Sequence, residues 1–330
     1  MSKIAVLGAG AWGTAIAISL VRRGGHEVCL WAHSPAHADE MRVTRDNMRY
    51  LAGFVLDPSL TLPLSLEEAV TGADVIVSVT PSQHLRATIA EIAPLLQPHQ
   101  VLVSASKGIE DDSHLRMSQV MQSITGNPVA TLGGPSFARE VAAGMPTAAV
   151  IASADLALAQ RLQTEFSSES FRLYSNADIV GVELGGALKN VIALAAGVAT
   201  GLNLGSNTAA ALMTRGMAEI TRLAIACGAE QKTLAGLAGM GDLVLTCTGT
   251  LSRNRTVGVE LGKGRKLPEI IESLNGKVAE GVRCTSAALG LASVHGIEMP
   301  ITEQMNQVLH HNQAPLDAIR ALMTRPGKDE

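Results

Sequence analysis

Two kinds of hydrophobic pattern alternate along the first half of the chain. Short uninterrupted apolar runs occur in the segments "KIAVLGA", "HEVCLWA", "ADVIVSVT", "QVLVSASK" and "PVATLGG". Between them lie stretches such as "QHLRATIAEIAPLLQ", in which apolar residues recur every three or four positions. The runs are typical of buried parallel strands, and the stretches are typical of amphipathic helices. Strands and helices that alternate in this way predict a doubly wound parallel sheet.

A different pattern begins near Asn176, where the strand signals disappear. Long stretches rich in Ala, Leu and Met follow, as in "TAAALMTRGMAEITRLAIACG", and they predict helices only. The 330 residues of the chain are sufficient for two domains. We therefore expect an α/β domain over residues 1–180, followed by an all-α domain over residues 181–330.

Three glycines stand between the first strand and the first helix. Gly8, Gly10 and Gly13 form the pattern GxGxxG in "KIAVLGAGAWGTAIAISLVRR". In such a turn the first glycine permits the bend, the second lets the backbone approach a pyrophosphate, and the third lets the helix pack closely on its strand. The N-terminus of the helix then faces the anion. In this strand–turn–helix setting the pattern predicts a Rossmann-like domain that binds NAD or NADP.

The end of the second strand bears on which of the two cofactors is used. Enzymes that use NAD usually carry Asp or Glu about 20 residues beyond the glycines, where it binds the ribose 2′-hydroxyl. Here the segment reads Trp31, Ala32, His33, Ser34, and the first acid is Asp39. A carboxylate would repel the 2′-phosphate of NADP, whereas His33 and Ser34 can donate hydrogen bonds to it. We therefore expect NADPH to be preferred. The alternative is that His33 and Ser34 are ordinary loop residues.

Further candidate residues follow the later strands. Ligands of doubly wound sheets bind at the carboxyl ends of the strands. Lys107 follows one such end, and the segment "GGPS", from Gly133 to Ser136, follows another. These positions predict a ligand site at that edge of the sheet. For Lys107, a solvated loop charge is the alternative interpretation.

The segment "GGALKNVIALAAG", residues 185–197, contains a single charge, Lys189. At about 100° per residue, its neighbours on a helix are small or aliphatic and none is acidic. One interpretation is that the aliphatic stem lies along the surface and the ammonium reaches water. The other is an embedded ammonium that serves in catalysis.

Two other stretches place polar groups in apolar surroundings. "GLAGMGDLVLTCTG" contains Asp242, and "LSRNRTVG" groups Ser252, Arg253 and Asn254. Arginine offers a planar fork for phosphate oxygens, and Ser and Asn supply neutral donors. The alternatives are a helix N-cap for Asp242 and a solvent-exposed face for the arginine. Together with a nucleotide-binding domain and Lys189, these residues predict an enzyme that reduces a carbonyl group.

Composition excludes several other classes of protein. The net charge is −4, from 26 Lys and Arg against 30 Asp and Glu, without a basic run, which argues against a nucleic-acid partner. Cys29, Cys227, Cys247 and Cys284 lack the spacing of a metal site, so we expect no metal and reduced thiols in a cytosol. Polar residues and glycines interrupt the uncharged stretch 190–214, so we expect no membrane insertion.

At the level of whole motifs, the chain resembles the NAD(P)-dependent glycerol-3-phosphate dehydrogenases of bacterial type. The motifs are "GAGAWGTAIA", "SKGIE", "GGPSFAREV", "ELGGALKNVIALAAG", "GLAGMGDLVLTC", "SRNRTVG" and "AEGVRCT", and they occur in the family's order over nearly the whole chain. The resemblance implies an enzyme that interconverts dihydroxyacetone phosphate and sn-glycerol 3-phosphate by hydride transfer with NADPH or NADH. It also implies a cytosolic homodimer that supplies glycerol phosphate for phospholipid synthesis.

The resemblance further implies roles for individual residues. Lys189 corresponds to the family's proton donor and also to one of its substrate-binding residues. The other implied substrate-binding residues are Lys107, Gly134, Ser136, Asp242, Ser252, Arg253 and Asn254. The implied cofactor-binding residues, with the three glycines of the turn included, are Gly8, Gly10, Ala11, Trp12, Gly13, His33, Tyr50, Lys107, Ala138, Arg253, Val278 and Glu280.

Two departures and two alternatives accompany this interpretation. Ala11 stands where the family often has serine, so we expect one side-chain hydrogen bond to be missing here. His33 stands where arginine is common, which leaves the strength of the NADPH preference open. A ketopantoate-type or other β-hydroxyacid reductase can also pair a Rossmann domain with a helical domain that carries a lysine. The "GGPSFA" and "SRN" motifs argue against it. A non-catalytic NADP-sensing protein would need the glycine turn but not Lys189, Asp242 and Arg253 together.

Overall fold

The structure is a computed structural model that describes residues 1–274 and 279–327. It divides into two compact units, one formed by residues 1–107 and 115–183, the other by residues 108–114 and 184–330. The short segment 108–114 belongs to the second unit, although it interrupts the first along the chain, and the sequence patterns did not predict this. The functional division expected between residues 180 and 181 stays a prediction.

The first unit contains a seven-stranded sheet. Its strands are β1 Ser2–Leu7, β2 His26–Trp31, β3 Val75–Ser78, β4 Val101–Ser104, β5 Val129–Gly133, β6 Thr147–Ala152 and β7 Phe171–Asn176. They lie in the order β2-β1-β3-β4-β5-β6-β7. All neighbouring strands are parallel except β5 and β6, which are antiparallel.

This sheet confirms the predicted fold class, with two differences in detail. β6 and β7 lie beyond the five strands that the apolar runs indicated, and the antiparallel β5–β6 pair departs from a wholly parallel sheet. β7 was missed because it is an edge strand whose first four residues alternate between buried and exposed. An uninterrupted apolar run is the signature of a strand buried on both faces, so it does not detect such an edge.

Helices cover both faces of this sheet. They are α1 Ala11–Arg23, α2 Pro35–Thr44, α3 Leu66–Val70, α4 Ser82–Ile92, α5 Met117–Gln122, α6 Ala138–Ala142 and α7 Leu156–Phe166. Successive residues of β1 divide between two core clusters: Ile4 and Val6 belong to one, Ala5 and Leu7 to the other. Because neighbouring side chains of a strand point to opposite faces, the two clusters lie on opposite sides of the sheet.

The second unit is helical in the part of it that the structure describes. α8 Ile179–Gly201 begins in the first unit and continues into the second. The remaining helices are α9 Ser206–Ala226, α10 Gln231–Ala235, α11 Asp242–Thr248, α12 Arg253–Gly262, α13 Leu267–Ser273, α14 Glu280–His295, α15 Pro300–His310 and α16 Pro315–Met323, with a π-helical turn at Leu237–Gly241. α8 is long and apolar enough to cross a membrane, but 89% of its most apolar window is buried inside the protein. Its burial is therefore that of a core helix.

Glycines allow α8 and α12 to cross at very short range. A Cβ on Gly197 would collide with the backbone of α12 at Arg255, and a Cβ on Gly258 would collide with the backbone of α8 at Leu194. Gly201 and Gly262 face each other in the same way one turn further along. This contact places the first residues of α12 beside the central part of α8.

The cysteines behave as core thiols. Cys29, Cys247 and Cys284 are buried, Cys227 is half-buried, and none forms a disulfide. Burial raises the pKa of the Cys29 thiol to about 11 and that of Cys247 and Cys284 to about 12. Because the thiolate is the nucleophile, these three groups are unreactive at neutral pH.

Candidate active site

The turn between β1 and α1 is shaped by its three glycines. Gly8 has a φ of 116°, which residues with a side chain rarely adopt, and a Cβ there would approach the backbone of Val79 to 3.1 Å. A Cβ on Gly13 would collide with the carbonyl oxygen of Gly8, so the third glycine lets α1 pack on the turn. A Cβ on Gly10 would meet nothing within 4 Å. Open space therefore remains at the N-terminus of α1, where a pyrophosphate can be bound.

Ala11 and Trp12 begin α1, and both are half-buried. The indole ring of Trp12 packs edge-to-face against Phe171, with ring centroids 6.5 Å apart. Its Nε1–H is buried and has no hydrogen-bond partner within residues 1–274 and 279–327. Buried indole N–H groups usually have a partner, so an orphaned donor beside this turn fits a partner supplied by a bound cofactor.

The loop after β2 also fits a phosphorylated cofactor. The hydroxyl of Ser34 accepts a hydrogen bond from the backbone N–H of His37 at 3.4 Å and caps α2. The first turn of α2 contains no acidic residue, so its positive end is unopposed. His33 is exposed, and its ring lies edge-to-face against Trp31 at 5.9 Å between centroids. Tyr50 is 41% exposed, and its ring packs edge-to-face on that of His37.

Three of the predicted substrate residues meet at one carbonyl group of the first unit. The ammonium of Lys107 donates to the backbone oxygen of Gly134 at 3.2 Å, and the hydroxyl of Ser136 donates to the same oxygen at 3.1 Å. Gly134 has a φ of 101°, and a Cβ there would lie 3.2 Å from the Cα of Ala149. Glycine is therefore required for this turn, which follows β5. Ala138 is half-buried and begins α6 shortly after it.

A buried ion pair lies in the second unit. Lys189 is 6% exposed and Asp242 is 1% exposed, and the Nζ of Lys189 lies 2.7 Å from the Oδ1 of Asp242. The ammonium also donates to the hydroxyl of Thr246, which in turn donates to the backbone oxygen of Asp242 at 2.6 Å. We call these three residues the Lys189 cluster. The interpretation in which the ammonium reaches water is wrong, because the lysine is buried and paired.

Local backbone geometry brings the cluster together. α11, which carries Asp242, is preceded by the π-helical turn Leu237–Gly241, and such turns occur frequently at functional sites. A Cβ on Gly185 of α8 would lie 2.7 Å from the carbonyl oxygen of Ala238. The π-helical turn therefore packs directly on the backbone of α8 one turn before Lys189, and α11 begins close enough for its first residue to reach the ammonium.

The three residues predicted to be hydrogen-bond donors at the start of α12 differ in their surroundings. The hydroxyl of Ser252 accepts from the backbone N–H of Arg255 at 3.2 Å and caps the helix. The side-chain oxygen of Asn254 accepts from the backbone N–H of Gly281 at 3.0 Å. Glu280, the first residue of α14, therefore lies near Asn254. Arg253 is exposed.

The contact between Asn254 and Gly281 also lies next to α8. A Cβ on Gly281 would lie 2.7 Å from the carbonyl oxygen of Asn190, the residue after Lys189. The structure thus brings Asn254 and the start of α14 next to the part of α8 that carries the lysine. Val278, one of the predicted cofactor residues, lies outside the described residues.

Sequence reasoning missed Thr246. Its hydroxyl lies between the ammonium of Lys189 and the backbone of Asp242, and it is 4% exposed. The available signal was its spacing, because residues four apart on a helix share a face. No group of three or more His, Cys, Asp or Glu side chains within residues 1–274 and 279–327 is arranged to hold a metal ion.

Comparison with known proteins gives one consistent family. Residues 3–159 match the family model for the N-terminus of NAD-dependent glycerol-3-phosphate dehydrogenase, and residues 178–320 match the model for its C-terminus. A glycerol-3-phosphate dehydrogenase (NAD(P)+) of Acidobacterium capsulatum is 56% identical over 338 aligned positions, which cover all of both chains. The protein of the same name from Geobacter sulfurreducens is 54% identical, over 99% of this chain and 98% of its own.

Solved structures separate this family from the alternative reductases. The crystal structure of glycerol-3-phosphate dehydrogenase from Coxiella burnetii superposes with a TM-score of 0.94 at 40% identity, covering 98% of this chain and 99% of that one. A ketopantoate reductase from Ralstonia eutropha gives a TM-score of 0.62 at 17% identity, over 96% and 99% of the two chains. The similarity to the ketopantoate reductase is therefore one of fold alone.

Proposed function

The chain belongs to the NAD-dependent glycerol-3-phosphate dehydrogenase family, and from this membership we propose which of its residues carry out the reaction. The protein is an oxidoreductase that uses NAD or NADP to interconvert dihydroxyacetone phosphate and sn-glycerol 3-phosphate. In the direction of reduction, a hydride is added to C2 of dihydroxyacetone phosphate and a proton to its C2 oxygen.

The cofactor supplies the hydride when it is bound, and most of the residues proposed to hold it belong to the first unit. The open space at Gly10 and the N-terminus of α1 support pyrophosphate binding by the glycine turn. His33 and Tyr50 contact the adenosine end, and NADPH is preferred because the first turn of α2 carries no acid to repel a 2′-phosphate. The other cofactor contacts are Ala11, Trp12, Lys107, Ala138, Arg253, Val278 and Glu280.

Cationic and neutral donors bind the substrate. Arg253 is exposed, and its guanidinium binds the phosphate group through charge-assisted hydrogen bonds. Ser252 and Asn254, which flank it, contribute neutral donors. Lys107, Gly134, Ser136 and Asp242 complete the set of substrate-binding residues.

Lys189 is the proton donor, and its buried ion pair is the observation that carries this assignment. Hydride addition develops negative charge on the C2 oxygen, and an ammonium excluded from water stabilises that charge and delivers a proton. Asp242 and Thr246 hold the ammonium at a defined position through contacts with its Nζ. An ammonium free to move in solvent would lose this pre-organisation.

We extend the proposal to the cellular setting on the basis of the resemblance to the family. The enzyme acts in the cytoplasm as a homodimer and supplies glycerol phosphate for phospholipid synthesis. Analytical ultracentrifugation of the full chain tests the dimer, and depletion of the protein followed by measurement of cellular glycerol phosphate tests the supply.

An assay of the purified protein tests the reaction itself. We expect loss of NADPH absorbance on addition of dihydroxyacetone phosphate, with one equivalent of sn-glycerol 3-phosphate formed per NADPH consumed. Ketopantoate serves as the non-phosphorylated comparison substrate and is expected to be inactive. Turnover of ketopantoate alone would favour the reductase alternative, and NADPH binding without any turnover would favour an NADP-sensing protein.

A further inference from the structure

Asn47 is a buried residue of the first unit whose side chain forms four hydrogen bonds. It is 0% exposed, and its amide nitrogen donates to the carbonyl oxygen of Ala9 at 2.9 Å and to the hydroxyl of Thr14 at 2.7 Å. Its amide oxygen accepts from the Nε2 of His37 at 2.9 Å and from the backbone N–H of Tyr50 at 3.2 Å. One side chain therefore joins the glycine turn, α1, α2 and the loop that carries Tyr50.

The orientation of this amide is determined by its partners. A backbone carbonyl only accepts hydrogen bonds, so the atom of Asn47 that faces Ala9 must be the nitrogen. The oxygen then faces Tyr50 N–H, which only donates, and the same oxygen requires the Nε2 of His37 to carry a hydrogen. All four contacts are satisfied in one arrangement, and reversing the amide would break those to the Ala9 carbonyl and the Tyr50 N–H.

The hydrogen bond from Asn47 to Ala9 determines the direction of the Gly10 N–H. The carbonyl of Ala9 and the N–H of Gly10 belong to one planar peptide, which is trans, so the two groups point in opposite directions. When Asn47 holds the carbonyl, it directs the N–H of Gly10 away from itself. In the described part of the chain no backbone carbonyl accepts from that N–H, and the space around Gly10 is open.

We infer that Asn47 is a positioning residue for the cofactor. It fixes the plane of the Ala9–Gly10 peptide so that the Gly10 N–H is presented to the pyrophosphate, and it ties this peptide to the loop of Tyr50. The inference rests on the proposed function, in which the glycine turn binds the pyrophosphate and Tyr50 contacts the adenosine end. Neither the glycine pattern nor any of the family motifs contains Asn47, so motif matching does not reveal it.

Asn47→Asp tests the inference, because it keeps the shape of the side chain and removes the donor. A carboxylate oxygen opposite the Ala9 carbonyl replaces a hydrogen bond by repulsion between two acceptors. We expect the Kd for NADPH, measured from the fluorescence of the bound nicotinamide, to rise about 10- to 100-fold. The KM for dihydroxyacetone phosphate at saturating NADPH should stay within about twofold of wild type, because the peptide plane acts on the cofactor alone. If this variant does not fold, Asn47→Ala removes the donor without adding charge.

Gln100→Glu is the matched control within the same unit. Gln100 is 1% exposed, and its amide donates to the carbonyls of Val70 and Ala73 at 3.0 and 2.7 Å and accepts from Gln97. It precedes β4, at the end of the strands opposite to the glycine turn. We expect this change to lower the melting temperature by a similar amount and to leave the Kd for NADPH unchanged.

The outcomes separate the inference from the proposed function. A folded Asn47 variant with the wild-type Kd would overturn the inference, and so would a Gln100→Glu variant that weakens NADPH binding equally for the same loss of melting temperature. In both cases wild-type binding and turnover leave the proposed function intact. A wild-type protein that binds neither NADPH nor NADH would overturn both.

Discussion

The glycine turn of the first unit and the Lys189 cluster of the second both present positive charge, but they are built from different groups. The turn uses backbone N–H groups, the end of a helix and the neutral amide of Asn47. The cluster uses a full charge, the ammonium of Lys189, balanced by the carboxylate of Asp242 at 2.7 Å. A pyrophosphate is a permanent anion, whereas the charge on a carbonyl oxygen exists only during the reaction.

The difference affects how each site responds to mutation. Partial charges from peptide groups are fixed by the fold, so the turn is damaged mainly by added volume or a displaced peptide plane. A buried ion pair is instead sensitive to the loss of either partner, because the remaining charge is left uncompensated in a low-dielectric interior. Mutations of the cluster should therefore change activity and stability together, and mutations of the turn should change cofactor affinity.

Lys189→Met gives the largest expected effect. It keeps the length of the side chain and removes the ammonium, so turnover should fall by roughly 10²- to 10⁴-fold, the usual range for a positioned acid. NADPH binding should survive, because the glycine turn is unchanged. The measurements are single-turnover hydride transfer and the Kd for NADPH. Full hydride transfer in a folded variant would rule Lys189 out as the acid.

The stability of the Lys189→Met variant tests how strongly the ion pair with Asp242 holds the second unit together. Removal of an isolated buried charge would raise stability, but Lys189 is paired, so its loss strands the carboxylate of Asp242 and should cost about 3–5 kcal/mol. The double variant Lys189→Met, Asp242→Asn removes both charges and should recover much of that free energy of unfolding while remaining inactive. Urea denaturation of the single and double variants provides the test, and equal stabilities would contradict a strong ion pair.

Asp242→Asn gives the next largest effect. The amide keeps an oxygen for the ammonium but carries no charge, so Lys189 is held less firmly and turnover should fall by roughly 10- to 100-fold. Glu219→Gln is the matched control: this carboxylate is 1% exposed in the same unit, burial raises its pKa, and it accepts from the backbone N–H groups of Ile301 and Thr302. The control should lose stability and keep its turnover. If both variants lose turnover in proportion to stability, Asp242 has only a structural role.

The two regions also differ in how far the sequence alone reveals them. The glycine turn is a local device, in which the spacing of Gly8, Gly10 and Gly13 specifies a backbone conformation within six residues, so its geometry could be predicted. The ion pair joins residues 53 apart in the chain. Helical periodicity around Lys189 showed only neighbours without charge, because the carboxylate comes from another helix.

The contacts of Asn47 and Thr246 could not be predicted from the sequence either, for two different reasons. Two of the partners of Asn47, Thr14 and Ala9, are 33 and 38 residues away, and an isolated asparagine in a loop has no pattern that marks it as buried. Thr246 shares a helix face with Asp242, but that spacing gains meaning only when Lys189 is known to lie opposite. The edge strand β7 was missed for a related reason. Its polar residues fit a strand only when that strand is known to lie at the edge of the sheet.

Arg253→Ala should have a moderate effect on affinity. Loss of a charge-assisted contact to the substrate phosphate should cost about 1.5–3 kcal/mol, or roughly a 10- to 150-fold rise in the KM for dihydroxyacetone phosphate. Arg265→Ala, which removes an exposed partner of Glu260 in the loop after the same helix, should leave the KM unchanged. Inorganic phosphate should compete with the substrate in the wild-type protein and more weakly in the Arg253 variant. An unchanged KM in that variant would remove Arg253 from the phosphate site.

His33→Asp gives the smallest expected effect and concerns the outer end of the cofactor site. His33 is exposed next to the capped N-terminus of α2, so a carboxylate at this position would repel a 2′-phosphate through solvent. Two unit charges 4 Å apart in water interact by about 1 kcal/mol, which corresponds to roughly a fivefold loss of preference for NADPH over NADH. His33→Asn removes the imidazole without adding charge and separates repulsion from the loss of a donor. The ratio of kcat/KM for the two cofactors should fall further in the Asp variant than in the Asn variant. If the wild-type protein itself strongly prefers NADH, the absence of an acid after β2 does not determine cofactor choice here, and the interpretation of this loop fails.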